Sequence, residues 1–313
     1  MRRLPSYEYL VSRVRARVSS LFDRASYRAV LGSSSPLEAV FTLKQSRFVE
    51  RLGQPTATDY LGIARWLTAD FLETFDFTEE NAPRSIRPFL GKLRDLFTAV
   101  FVSRLLAGKR GVQSPIGQAA MIPSTRKLYA LGLDARPEAL LQGFSGEEQR
   151  AQAEELFSFA AQQEKVFPLL ALPAFAARSV LLFVDSVNGA EFGGLKPLLD
   201  AVSAGSLMVA SAASKAEGGD LSLFAERFRS ALRSELAPAA AEAAPPLSEA
   251  ERRCWGGVAP LARNCLIGYP FRARTVAGFL FLEWFDIVNW RLALLALQGV
   301  LTVQEADRAF IIA

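Results

Sequence analysis

Apolar residues recur at three- and four-residue steps over most of this chain, the period of a helix face. Near the start the stripe is Tyr7, Leu10, Val11, Val14, Val18, Leu21 and Phe22, with arginines falling between its members. The same period predicts helices over 59–75 and 89–106, the second closed by Gly108 as the residue just past its end. A loop is expected over 111–124 and further helices over 146–165, 174–185, 195–213 and 221–236. Start signals accompany the pattern. Ser35 with Glu38, Ser145 with Glu148, Ser248 with Glu251 and Thr302 with Glu305 have the spacing in which hydroxyl and carboxylate satisfy each other's orphan backbone donors, and Pro36 fits a first helical position. No run alternates with the period of a strand, so the pattern predicts an all-α chain and disfavours a parallel sheet.

One predicted helix is apolar almost all round. From Phe279 to Leu295 its polar members are Glu283, Asp286, Asn289 and Arg291. The first three step by threes and share one stripe. A helix this apolar is buried, so the stripe is read as polar glue meeting partners across an interior seam, such as an Arg from elsewhere in the chain. Asn289 could equally bond a neighbouring backbone. The Asp-x-x-Asn spacing returns at Asp185 and Asn188. Asp95 stands as far before Gly108 as Asp286 does before Gly299, with Thr98 in place of the Asn. Three related helical units explain the recurrence. Pro238, Pro245 and Pro246 among alanines mark 237–246 as a semi-stiff linker, and 188–194 is a glycine-bearing turn. The expected division is 1–142, 143–236 and 247–313.

Composition then removes chemistry. The chain of 313 residues has no histidine, which excludes the commonest general base, the usual serine-hydrolase triad and every His-ligated metal. Its two cysteines, Cys254 and Cys265, form no ligand set and read as thiols in a reducing compartment. The glycine-rich stretch from Gly189 to Lys196 lacks the phosphate-loop spacing, and no G-x-G-x-x-G occurs, so no nucleotide cofactor is expected. Ser124 and Lys127 have the S-x-x-K spacing without its companion motifs. Asp70, Glu73 and Asp76 form no D-D-x-x-D motif and read as a solvated helix face rather than as a Mg²⁺ cluster. No catalytic, cofactor or metal residues are therefore assigned, and no small-molecule substrate is expected.

The net charge of +4 is too small for a nucleic-acid protein unless it is clustered. One cluster exists. Arg2, Arg3, Arg13, Arg15, Arg17, Arg24 and Arg28 are opposed locally only by Glu8 and Asp23. It is read as a solvated helix face or as a contact with an acidic partner or lipid headgroups. An Arg- and Ser-rich start also fits a transit peptide, although the helical pattern continues without a cleavage-like break. No signal-peptide core follows Leu4-Pro5-Ser6, so the protein is expected to stay where it is made. The apolar runs 166–177 and 275–282 fall short of the ~18 residues of a spanning helix, so any membrane role is expected to be peripheral.

The run from Tyr7 to Arg17 carries a resemblance. Tyr7, Tyr9, Arg13, Val14 and Arg15 match in order the opening of the central-stalk socket proteins of vacuolar/archaeal-type (V/A-type) rotary ATPases, a family with prokaryotic and eukaryotic members. Val11 and Ser12 stand where that family has Asn-Ala. Asp286, Asn289, Arg291, Leu292 and Gly299 resemble the family's repeated Asp-x-x-Asn-Leu-Arg helix and its small-residue stop, with Trp290 in place of Leu. In the middle unit Asp185 and Asn188 fit and Gly189 does not. The ending from Leu301 to Glu305 is similar to the family's short capped closing helix. The resemblance implies three related helical units around a pseudo-threefold axis, forming a funnel with no catalytic residues of its own. It implies a cytoplasmic, membrane-peripheral socket whose partners are the rotor shaft subunits and the membrane proteolipid ring, coupling rotation to proton or sodium transport. Arg13, Arg15 and Arg17 are then expected to support contact with the ring or nearby anionic headgroups. A stand-alone all-α adaptor is the alternative reading, and an all-α enzyme the third.

Overall fold

A computed structural model describes residues 7–18, 21, 23–35, 38–39, 59–187, 189–232, 245–268 and 272–312. Helix takes 77% of the structure and no strand occurs among the described residues, so the chain is all-α. In order the helices are α1 (Tyr7–Val18), α2 (Arg24–Leu31), α3 (Tyr60–Asn81), α4 (Arg87–Lys109), α5 (Pro115–Ala119), α6 (Arg126–Leu131), α7 (Pro137–Leu141) and α8 (Glu147–Gln163). They continue as α9 (Phe167–Leu170), α10 (Leu172–Val187), α11 (Lys196–Ala216), α12 (Leu221–Leu232), α13 (Leu247–Asn264), α14 (Ala273–Leu297) and α15 (Val303–Ala309). Pro36, Asn188 and most of the expected 237–246 linker lie outside the described residues.

The chain divides into two compact units, Met1–Arg87 with Ala259–Ala313, and Pro88–Val258. This division follows compactness, whereas the sequence division at 1–142, 143–236 and 247–313 follows likeness and a linker. In the first unit α14 is the axis, buried without interruption from Thr275 to Ala296, and α1, α2, α3 and α15 pack against it. Gly278 lets α13 and α14 approach closely. A methyl there would fall on the Ala262 carbonyl oxygen and lie 2.6 Å from Cys265 Cβ. Helix α3 runs past its expected end at 75 to Asn81. Asp59 caps its start by accepting from Gly62 N at 2.7 Å, Ile63, Leu67, Phe71 and Phe75 give it a core face, and Pro83 holds Ala82 extended beyond its end. Asp70 on this helix is fully buried, which corrects its reading as a solvated residue.

In the second unit α11 packs against α9 and α10, and Phe159, Phe167, Phe175, Phe224 and Phe228 form a continuous aromatic cluster. The segments Phe167–Val187 and Lys196–Ala216 are each 21 residues and apolar enough to cross a membrane by length and composition, more than the runs read from the sequence. Within the fold 78% and 72% of their apolar windows are buried, as in core helices. Of the four expected capping boxes, only the Thr302 and Glu305 pair forms with both halves. Ser145 instead donates to Asp95, and Glu148 lies 3.9 Å from Lys92. Ser248 and Glu251 are inside α13, and Glu251 is buried. Ser35 accepts from Glu38 N at 3.2 Å, but the Glu38 carboxylate turns to Ser34.

Three long helices end alike. Helices α4, α11 and α14 are 23, 21 and 25 residues long, and each is followed by a left-handed glycine: Gly111 (φ 77°), Gly218 (φ 62°) and Gly299 (φ 72°). The amide beyond each glycine reaches back into the last turn, Val112 to Ala107 at 2.9 Å, Gly219 to Ser214 at 2.8 Å and Val300 to Leu295 at 3.0 Å. A polar residue then opens the next helix. Ser114 accepts from Gly117 N at 3.0 Å, Asp220 from Ser222 N at 2.8 Å and Thr302 from Glu305 N at 3.1 Å. Such endings are common singly; joined to a long buried helix and a capped successor they recur three times among the described residues. Two details of the sequence reading change. Gly108 lies inside α4, where the Gln113 side chain folds against it, so the stop is Gly111. Asp185, the first member of the Asp-x-x-Asn pair expected in the middle of the chain, is exposed in the last turn of α10.

Candidate functional site

Helix α1 presents two faces. Leu10, Val11 and Val14 are buried, while Arg13 and Arg15 point to solvent. Arg17 differs from its neighbours because it lies one turn further along, where its guanidinium stacks 4.7 Å from the centre of the Phe77 ring and donates to Thr74 Oγ1 at 3.1 Å. The exposed basic pair of α1 is thus Arg13 and Arg15, and Arg17 is half-buried structure.

The stripe on α14 is interior throughout. Glu283, Asp286, Asn289 and Arg291 are all buried, and successive members take different partners. Thr74 Oγ1 donates to Glu283 at 3.3 Å, so Arg17, Thr74 and Glu283 form a relay from α1 through α3 to α14. One turn on, the Tyr27 hydroxyl of α2 donates to Asp286. A further turn on, Asn289 accepts from Ile311 N and donates to Ile311 O, both at 2.8 Å, and so holds the C-terminal segment as a backbone neighbour would. Outside, Asp307 of α15 accepts from Arg28 at 2.7 Å and Arg24 at 3.0 Å, which holds its carboxyl well below the usual range. The polar stripe therefore fastens α1 and α3, α2, and the chain end to one helix. A cavity of about 260 Å³ lies beside it, walled by Leu21, Leu282, Phe285 and Ile312 with Arg24 and Arg263 also lining it.

The second unit holds polar fasteners that the sequence reading did not find. Arg104, 4% exposed at its side chain, pairs with the fully buried Glu251, whose other oxygen accepts from Gly117 N at 3.1 Å. Burial pushes the Glu251 carboxyl up, against the pull of Arg104. Asp95 accepts from Ser145 N, Ser145 Oγ and Gly146 N at 2.7, 2.9 and 2.9 Å, which ties α4 to the start of α8, and burial raises its pKa as well. Thr98, one turn further along α4, shares a hydrogen bond of 2.5 Å with Ser124. Asp95 and Thr98 thus fasten two later segments, as Asp286 and Asn289 fasten two others in the first unit. The available signal for Arg104 was a lone cation inside the apolar run from Phe97 to Ala107.

Burial pushes the Cys254 thiol up to about 12 and the Cys265 thiol to about 11, so neither is a thiolate nucleophile near neutral pH. No group of three or more metal-ligating side chains occurs among the described residues. No protein-family model and no curated protein matches this chain.

Proposed function

We propose that this chain is a non-catalytic central-stalk component of a vacuolar/archaeal-type rotary ATPase, the socket that couples the rotating shaft to the membrane proteolipid ring. The observation that carries the reading is the threefold recurrence of a long buried helix, a left-handed glycine and a capped successor at α4, α11 and α14. It supports three related helical units, which that family arranges as a funnel about a pseudo-threefold axis. The matches at Tyr7, Tyr9, Arg13, Val14 and Arg15, and at Asp286, Asn289 and Arg291, support the same family.

A coupling socket must resist bending, because torque lost to internal deformation is lost to ion transport. Close-packed helices supply that resistance. Fasteners such as Asp286 and Asn289 add directional bonds that resist sliding of one helix past another. In this reading the protein works on the cytoplasmic side as a peripheral part of the membrane complex. Arg13 and Arg15 meet the ring or the headgroups beside it.

The test is reconstitution. Purified full chain should bind both the two-helix shaft protein and the proteolipid ring, and charge reversal at Arg13 and Arg15 should weaken ring docking most strongly at low salt. A monomer with affinity for neither partner would favour a stand-alone adaptor, and turnover of a small molecule would favour an enzyme.

A further inference from the structure

The short helix α6 of the second unit is mostly exposed. Of its residues only Leu128 is buried. Around the turn that follows, Tyr129, Leu131 and Leu133 are 38%, 37% and 40% exposed. The turn is made by Gly132 at φ 71°, and nothing lies within 4 Å of the point where a side chain would begin there. Single exposed apolar residues are ordinary. Three within five residues at one bend are not explained by the core, to which this segment contributes Leu128 and Ala135.

Charge surrounds this apolar tip on both sides. Arg126 and Lys127 precede it and Arg136 follows, all exposed. Lys109 Nζ donates to Ala135 O at 2.7 Å, which brings the basic end of α4, Lys109 and Arg110, to the return of the loop. Across 109–138 the only acidic residues are Asp134 and Glu138. Three partly exposed apolar side chains fall far short of the roughly 800 Å² per partner of a stable protein interface. A bilayer surface needs no such area. Leucines enter the boundary between headgroups and acyl chains, a Tyr ring sits at headgroup level, and flanking cations meet anionic lipid.

We propose that residues 126–136 form a docking surface for an anionic lipid bilayer. The tip inserts Leu131 and Leu133, and Arg126, Lys127 and Arg136 hold headgroup phosphates and carboxylates around it. The proposal does not depend on the rotary reading, since vesicles contain no ring.

The experiment is co-sedimentation of the full chain with vesicles of phosphatidylcholine alone and of phosphatidylcholine mixed with phosphatidylserine. Binding is expected on the mixed vesicles and should fall as salt rises. Replacing Arg126, Lys127 and Arg136 together by Gln should weaken it on the order of 100-fold, because each cation near such a surface contributes about five-fold. Leu131→Gln with Leu133→Gln should also release the protein, with an unchanged unfolding midpoint showing that the fold is intact. The proposal is overturned by equal binding to neutral vesicles, by no binding, by binding that survives both tip variants, or by binding only when the vesicles carry the proteolipid ring.

Discussion

Removing one partner of the Arg104 and Glu251 pair should cost far more than removing both. Glu251→Leu leaves a guanidinium 4% exposed without its counter-charge and removes one of the two acceptors of Gly117 N, leaving Ser114 Oγ. Breaking a buried pair from one side costs about 3–5 kcal/mol. Arg104→Met leaves a carboxylate that can escape its predicament by taking up a proton, so its penalty should depend on pH. The folded pKa of Glu251 already lies above its ordinary 4.5, and removing Arg104 takes away the strongest influence that lowers it. With the folded value above the unfolded one, the folded state holds the extra proton in the window above pH 4.5, and stability falls as pH rises through it. The Arg104→Met penalty should therefore grow from mildly acid to neutral pH, while the Glu251→Leu penalty should fall, because over that window the parent loses stability through Glu251 and the variant has no carboxyl there to titrate. Arg104→Met with Glu251→Gln keeps an acceptor for Gly117 N and should lie within about 2 kcal/mol of the parent, because no charge is left buried alone. Urea unfolding, read by amide exchange in α4 and α13, measures all three variants at several pH values. Additive costs in the double variant, or a Glu251→Leu cost below about 1 kcal/mol, would refute the reasoning.

Asn289→Leu should lose two hydrogen bonds to Ile311 and cost about 1–3 kcal/mol, with amide exchange of 303–312 rising before that of the rest of the first unit. Asp307→Asn should act on the same segment with a definite sign. The Asp307 pKa is held below its ordinary 3.8, so its contribution is present above that pH and lost as pH falls toward the folded value; the variant should flatten this acid limb and remove its salt dependence. Two glycines inside or beside α13 should respond oppositely to alanine. Gly278→Ala meets the Ala262 backbone and should lower the unfolding midpoint by the equivalent of about 1–3 kcal/mol, whereas Gly256→Ala meets nothing within 4 Å and should raise stability by about 0.5–1 kcal/mol. A midpoint unchanged by Gly278→Ala would contradict the close approach of α13 and α14.

Local physics made much of the architecture legible from residues alone. Helix class, the helical stretches of α1, α3, α4 and α14, the stop at Gly299 and the complete cap at Thr302 all depend on contacts within a few residues, which adjacency in sequence supplies. The interior fate of Glu283, Asp286 and Asn289 was legible too, because a helix apolar on every side has no solvent face to give them. The partners of that stripe were not. Tyr27 and Asp286 lie 259 positions apart, and Thr74 and Glu283 lie 209 apart, so nothing in the spacing of either segment encodes the meeting. Ser145 and Glu251 carry valid start signals, yet Asp95 and Arg104 claim them, because a buried charge must find compensation wherever packing puts it. Sequence by itself therefore determined the helix class, most of the long helices and the interior fate of the α14 stripe, but not the burial of Asp70, Arg104 or Glu251. Only the tertiary structure decided which element each one fastens, since that choice is made by long-range burial and by the cost of leaving a charge or a backbone group unpaired.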